Sequence, residues 1–518
     1  MPLVAVLSSL FGEYSDNWSH LYNYVLFDYM KNSAVLVFGV SIMALIIGAG
    51  SAWLVSNFDF LGKRFFEWAL ILPLSIPPYI LAYTFTGLFD SYGTLNNLIR
   101  NIFELEQSYI FFPSIRNIWG AILVFSFTLY PYIYLVTRSA FLNQSRSTLE
   151  AGRILGLSRF EISFKLAMPM IRPAIIGGLM LVIMETLSDF GAVEHFSIPT
   201  FTTGIFRTWY GMGDLLTAMQ LSSFLLILIA IFLFIENKSR RNADFVSDSS
   251  THRPIQIERL NSKYSVLAFV FCSIPLLVGF ILPTSELLVW AIYYNPSFFD
   301  DRFLDAAINT ITLALIAAVL CSMIALLINF SVRINKNKIL KILSSFLSIG
   351  YALPGLILAV GIVQTTTFID SNLLNKTSLA LTGSVFGLVL AYIIKSYALS
   401  NNTISSGMEK ISMGIDNSAR VLKSSGWNLL GRIHFPLLKT SFFTSIMLVI
   451  SEVVKELPAT LILRPFNFDT LAVSTYIYAA EERMRDAAAP SIAIIIVGLI
   501  PIIIITRMIR SSREKGTI

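Results

Sequence analysis

Apolar stretches recur along this whole chain, and each is long enough to cross a bilayer core of about 30 Å as a helix of about 20 residues. Lipid offers no water to the backbone, so a spanning segment must satisfy its own amide groups, and runs without two-residue alternation do so as helices. The expected spans in the first half are 34–55, 66–89, 118–137, 172–192 and 216–235. Those in the second half are 264–283, 308–331, 345–365, 377–399, 438–460 and 487–507, roughly eleven in all. Only 14% of residues are charged, against roughly a quarter in soluble proteins. The expected fold class is therefore an all-α polytopic integral membrane protein.

The net charge of +6 is explained by where it sits and carries no nucleic-acid signal. Lys63, Arg64, Arg138, Arg146, Lys238, Arg240, Arg241, Arg333, Lys341, Arg507 and Arg510 fall on one side of the expected spans. Glu13, Asp16, Asp28, Glu286, Asp300 and Asp305 fall on the other. The positive-inside bias assigns the basic side to the cytoplasm, with the C-terminus inside and the N-terminus outside. Cys272 and Cys321 lie within apolar spans, where packing is their expected role.

The chain also repeats itself. Residues 149–172 overlay 416–439 without a gap at an offset of 267, placing Arg153 on Arg420 and Pro169 on Pro436. The same offset places Glu185 on Glu452 and Thr203 on Thr470. An earlier block aligns at 277, Pro77 on Pro354, so the first half holds ten extra residues between the blocks, assigned to the loop 90–117. An even number of crossings separates the copies, which makes this a parallel duplication about an axis along the membrane normal. The expected organisation is a first half 1–235 with its core at 32–235, a polar linker 236–263, and a second half 264–518 with its core at 308–507. Residues 1–11 resemble 274–284, the end of the second half's first span, and are too short to cross. Either the true start lies upstream or that first helix has been lost.

Each repeated loop reads as a short helix, a turn and a second helix leading to a proline at the membrane. In the first copy Glu150, Ala151 and Gly152 are followed at fixed spacing by Gly156, Leu166 and Pro169. Small residues let a surface approach the backbone, and glycine takes the positive φ of a chain reversal without penalty. The second copy has Asn417, Ser418 and Ala419, then Lys423 where glycine stood, and Pro436 at the end. Lysine at positive φ is uncommon, so this turn is expected to be remodelled around Gly426, with the first loop the more sensitive of the two.

These loops resemble the permease loop signature of ATP-binding-cassette importers, and "ETLSDFGAVEHFSIPTFTTGIFRTWYGMGD" at 185–214 with "KELPATLILRPFNFDTLAVSTYIYAA" at 455–480 resembles the fused permeases of ferric-iron importers. The resemblance implies two tandem type I permease halves in a bacterial inner membrane. It also implies partners: two copies of a cytoplasmic ATPase subunit seated on the loops, and a periplasmic ferric-binding protein. No cofactor is implied on this chain, and ATP is used by the partner subunit, consistent with the lack of a Gly-rich loop ending in Lys-Ser/Thr. Thiamine, polyamine and sulfate permeases share parts of this plan.

Glu185 and Asp189 close one span, and Glu452 and Glu456 occupy the matching positions. The i, i+4 spacing puts each pair on one helix face. Acids within spans are costly and usually face a cavity or a partner. Hard oxygen ligands suit a highly charged cation, so these four are the candidate pathway residues, with Lys455 as a neutralising neighbour. The competing reading leaves them at helix ends, solvated or paired with Lys455 or Arg207. His20, His195, His252 and His434 lack metal-ligand spacing, and Tyr79, Tyr83 and Tyr351 read as packing. A gradient-driven transporter would also use duplicated spans and buried acids but needs no matched docking loops. An intramembrane enzyme would need a cluster of reactive residues that the sequence does not offer.

Overall fold

The structure is a computed structural model that describes residues 2–142, 144, 152, 154, 156–157, 161–241, 258–294, 300–335, 338–372 and 380–515. Among the described residues the regular structure is helical apart from one short parallel pairing, Phe58–Asp59 with Glu258–Arg259. Seven described helices are long and apolar enough to cross a membrane, or eight when a pair bent by 90° counts as one. The remaining expected spans fall on Gly355–Asn372 and Val385–Glu409, which are more polar, and on Ala488–Lys515, whose described apolar stretch is Ala488–Ile504.

Two expected spans are not continuous. The stretch 66–89 is divided into Lys63–Ala69, Leu72–Ser75 and Pro78–Phe89, and 345–365 into Lys338–Ser348, Ile349–Ala352 and Gly355–Asn372. Proline lacks the amide a helix needs and forces its predecessor out of the helical region. Ile76 and Leu353, each just before a proline, are accordingly extended at ψ 114° and 131°. Periodicity saw the apolar run, and the repeated proline overrode it.

The chain clusters into two compact units that cut across the sequence halves. One holds Phe11–Pro296 and Tyr478–Ala488; the other holds Met1–Leu10, Ser297–Ile477 and Ala489–Ile518. The core of the first is a triple of Asn17–Asn57, Ile118–Leu142 and Met168–Ser188. Their crossing requires small residues: a Cβ on Gly48 would stand 2.7 Å from the Tyr130 carbonyl oxygen, and one on Gly178 2.8 Å from Ile133 Cα. Close backbone approach is how helices gain packing in lipid, where the hydrophobic effect between them is absent. The leading helix of the second half, Ser262–Tyr293, belongs to this unit, with Trp290 seated against Gly87 and Phe269 edge-on to Phe66 at 5.4 Å.

The second unit repeats the triple with Asp301–Asn335, Val385–Glu409 and Phe435–Lys455, joined by a Ser322–Ser445 hydroxyl contact of 2.8 Å. Here Pro2–Ser8 lies on Gly355–Asn372, where a Cβ on Gly361 would come within 2.7 Å of the Pro2 carbonyl oxygen. Pro78–Phe89 receives Trp290 in the first unit, and its repeat counterpart receives the N-terminal helix in the second. Cys272 and Cys321 are both buried and not bonded to each other.

Asp214 ties two helix starts together in the first unit. It caps the helix beginning at Leu215 by accepting the Thr217 backbone amide at 2.9 Å, and it accepts the Ser15 hydroxyl at 2.6 Å and the Asn17 side-chain amide at 2.8 Å. Partial burial by itself raises this carboxyl, but the bonds to its ionised form win and hold it at about 2. The depressed value means that its stabilising contribution is complete at neutral pH and disappears as pH falls from the ordinary carboxylate range toward about 2. Asp214→Ala should cost about 1 kcal/mol from the lost cap alone. Thermal unfolding in detergent should show the loss at pH 7 and a smaller difference from the parent in acid.

Candidate functional site

The repeated loops end their first helix in the same way, although only one carries glycine. Gly156 has φ +77° and Lys423 has φ +59°. In the first copy the Leu157 amide bonds back to the Gly152 carbonyl at 3.1 Å, and in the second the Ser424 amide bonds to the Ala419 carbonyl at 2.9 Å. Both are six-residue returns around a left-handed residue, the standard closure of a helix C-terminus. The expected remodelling at Lys423 does not occur, because the backbone bond is worth more than the left-handed strain of one exposed residue. Gly426 is also left-handed, at φ +55°, but it lies in addition to this turn. The ground for ranking the first loop above the second is thereby removed.

Glu150 and Ala151 lie outside the described residues. Gly152 faces inward: a Cβ there would stand 2.8 Å from Leu166 Cδ1 and 3.1 Å from Ile162 Cγ1. Its counterpart Ala419 is buried with Ile411, Leu429 and Leu430. Smallness at this position therefore lets the loop's two helices close on each other. Asn417 and Ser418 of the helix Met413–Val421 are exposed instead. Around them stand apolar side chains with no cover: Val421 at 81%, Trp427 at 76%, and in the first copy Ile154, on the position of Val421, at 86%. Pro169 and Pro436 are exposed just after the π-helical turns Ile162–Ala167 and Leu430–His434, which run on into Met168–Ser188 and Phe435–Lys455.

The acid pairs are arranged differently from the expected shared face. Helix Met168–Ser188 stops before Asp189, which is extended at ψ 140°, and Phe435–Lys455 stops before Glu456 at ψ 111°. Glu185 and Glu452 remain on their helices, half-buried, one turn from the end. Asp189 turns to cap the next short helix, accepting the Ala192 amide at 2.9 Å and the Val193 amide at 3.3 Å. Glu456 does the same for Pro458–Leu463 through the Ala459 amide at 3.2 Å. Ala192 and Ala459 are themselves repeat partners, so the duplication preserves the capped break as well as the acid.

Glu456 is buried and its second oxygen is bonded to the Lys395 ammonium. Sequence reading named Lys455 and Arg207 as counter-ions and missed Lys395, although a lone cation inside "GLVLAYIIKSYALS" was a visible signal. Arg207 bonds Glu194 at 3.1 Å. In the first unit the position of Lys395 is Thr128, whose hydroxyl bonds its own helix at the Val124 carbonyl. His195, scattered in sequence, packs its ring 4.7 Å from Tyr83 and bonds Thr86 at 2.9 Å. Among the described residues no three His, Cys, Asp or Glu side chains gather as a metal site.

Two outcomes check this geometry. Lys423→Gly should relieve about 1 kcal/mol of left-handed strain and slow chymotryptic cutting at the exposed Trp427; equal or faster cutting would exclude strain there. Lys395→Met leaves the Glu456 carboxylate buried without its partner and should cost about 3–5 kcal/mol, much of which Lys395→Met with Glu456→Gln should restore. Unfolding midpoints in detergent separate the two.

Residues 32–238 match the family described as binding-protein-dependent transport system inner membrane component. The chain is 23% identical over 482 residues to an Fe(3+)-transport system permease protein of Haemophilus influenzae, covering 92% of this chain and 89% of that protein. It is 22% identical over 520 residues to a ferric transport system permease protein of Actinobacillus pleuropneumoniae, covering 94% of this chain and 73% of the other. A sulfate transport system permease protein of Salmonella typhimurium is 23% identical over 194 residues, covering 37% of this chain and 67% of its own length.

Proposed function

We propose that this chain, a member of the binding-protein-dependent transport permease family, is the two-half membrane subunit of an ATP-binding-cassette importer for ferric iron. The observation that carries the reading is the pair of loops. Two repeat-related hairpins close with the same turn and present uncovered apolar side chains, Ile154 in one and Val421, Leu422 and Trp427 in the other. A partner surface on each relieves that exposure. Two ATPase subunits fit this duplicated arrangement, and a gradient-driven transporter has no use for it. Iron as the cargo rests on the ferric relatives, which span both halves, whereas the sulfate relative spans little more than a third of the chain. In this reading a periplasmic binding protein delivers the ion, the loops and C-terminus are cytoplasmic, and the membrane is the bacterial inner membrane.

Catalysis of ATP cleavage belongs to the partner, and this chain contributes coupling and a path. Glu185 and Glu452, the acids that remain on their helices, are the better candidates for shaping that path, because Asp189 and Glu456 are committed to capping. A negative approach raises local cation concentration before any ligand is formed.

Val421→Asp should abolish stimulation of ATP hydrolysis by the loaded binding protein and release the ATPase from the purified complex; retention of both would remove the docking reading. A periplasm-dependent reporter fused after residue 518 should be silent, and activity there would invert the topology. Glu185→Gln with Glu452→Gln should slow radiolabelled iron uptake well beyond either single change while unstimulated hydrolysis persists. Parent-like uptake by the double variant would restrict these acids to structure.

A further inference from the structure

We propose that Arg333 is the positioning residue that delivers movement of the second loop to three spans, through charged residues that the matching positions of the first half do not carry. Arg333 stands in the last turn of Asp301–Asn335. Its Nε donates to Asp416 Oδ2 at 2.7 Å, Nη1 to the Met408 carbonyl at 2.7 Å and Nη2 to the Ile411 carbonyl at 2.8 Å. Met408 lies in the last turn of Val385–Glu409, and Asp416 in the first turn of the loop helix Met413–Val421. One guanidinium therefore closes the end of one span while it grips the loop.

The other oxygen of Asp416 lies 2.8 Å from His434 Nε2, in the residue that precedes Phe435–Lys455. The His434 ring is fully buried and stands edge-on to Phe330, with centroids 5.4 Å apart. Asp416 is carried by the loop, and Arg333 and His434, which stand against its two oxygens, are carried by spans. The side chains of Arg333 and Asp416 are only 10% and 8% exposed, so this is a desolvated pair at a helix end where water would otherwise satisfy the carbonyls. The planar fork fixes direction as well as distance, which a lysine at the same place would not do.

The repeat shows that the fold does not require this arrangement. Ser56 stands on the position of Arg333, Leu149 on that of Asp416 and Ala167 on that of His434, and none carries charge. In the first unit, Phe141, Ala167 and Ile171 form an apolar cluster beside Trp53, and a described bond from the loop, Gln144 Nε2 to the Ala167 carbonyl at 2.8 Å, carries no charge. Apolar contacts slide, whereas three directional bonds to one carboxylate and two carbonyls do not. The second loop is thus tied to its spans by a charged, directional link whose residues are not repeated at the matching positions of the first half.

This inference rests on the docking reading, and its test keeps the two apart. The complex of the full chain with its ATPase is assayed in proteoliposomes with iron-loaded binding protein, comparing the parent with Asp416→Asn and with Arg333→Met/Asp416→Leu. The apolar pair removes both buried charges, so it preserves folding if the ion pair is merely structural. Both variants should co-purify with the ATPase and keep unstimulated hydrolysis, while stimulation by the loaded binding protein falls about tenfold. Parent-like stimulation in the apolar pair would overturn the proposal. Loss of the ATPase from both variants would also overturn it, by placing the pair in the docking surface. A parent chain that transports without any ATPase removes the docking reading itself, whereas a stimulated parent beside equally stimulated variants removes only the role of Arg333.

Discussion

A backbone amide in lipid must find its partner inside the protein, and at the two helix breaks that end the paired spans a carboxylate answers the freed amides. At Pro77 and Pro354 the spans bend because no helical bond is available. After Ser188 and Lys455 the helices stop, and the freed amides of the following turns are taken up by Asp189 and Glu456. The acids that look most like transport groups are thus partly the material from which the breaks are built. Broken helices near polar side chains are tolerated in membranes where they are buried in protein or line a cavity. In the proposed reading the break and the path are served by neighbouring residues, Asp189 one turn from Glu185 and Glu456 one turn from Glu452.

Duplication supplied the frame. Each unit is built on a triple of helices, and each takes in a helix from the other repeat half: Ser262–Tyr293 in one, Pro2–Ser8 in the other. The compact units and the repeat halves are different partitions because a leading helix packs with the unit its own half does not found. Within the loops the duplication is kept at the level of backbone bonds, even where the side chain at the turn has changed from glycine to lysine.

Charge is where the halves diverge. Lys395 and Arg333 are buried or nearly buried cations of the second unit, each bonded to an acid, and their repeat positions in the first half hold Thr128 and Ser56. A desolvated pair is a poor way to gain stability, since apolar packing of the same volume serves as well. Its distinctive property is direction, which matters at a place where one helix must follow another. Both pairs join a helix terminus to a neighbouring span, the geometry expected of parts that move together.

Much of this architecture was legible in the residues themselves. Long apolar runs, the basic and acidic sides, the repeat at two offsets and the loop signature define a duplicated helical membrane protein, because lipid leaves few alternatives and the period of a helix is written in composition. The signal ran out where distant residues meet. Lys423 looked incompatible with the turn that it makes, since local preference is weaker than the closing hydrogen bond. Lys395 and Glu456 lie 61 residues apart and Arg333 and Asp416 lie 83 apart, so neither pair had a spacing to betray it. Which acid caps, which stays on its helix and which cation answers it were decided only by tertiary structure, because burial makes an unpaired charge intolerable and packing alone determines who is near enough to pair.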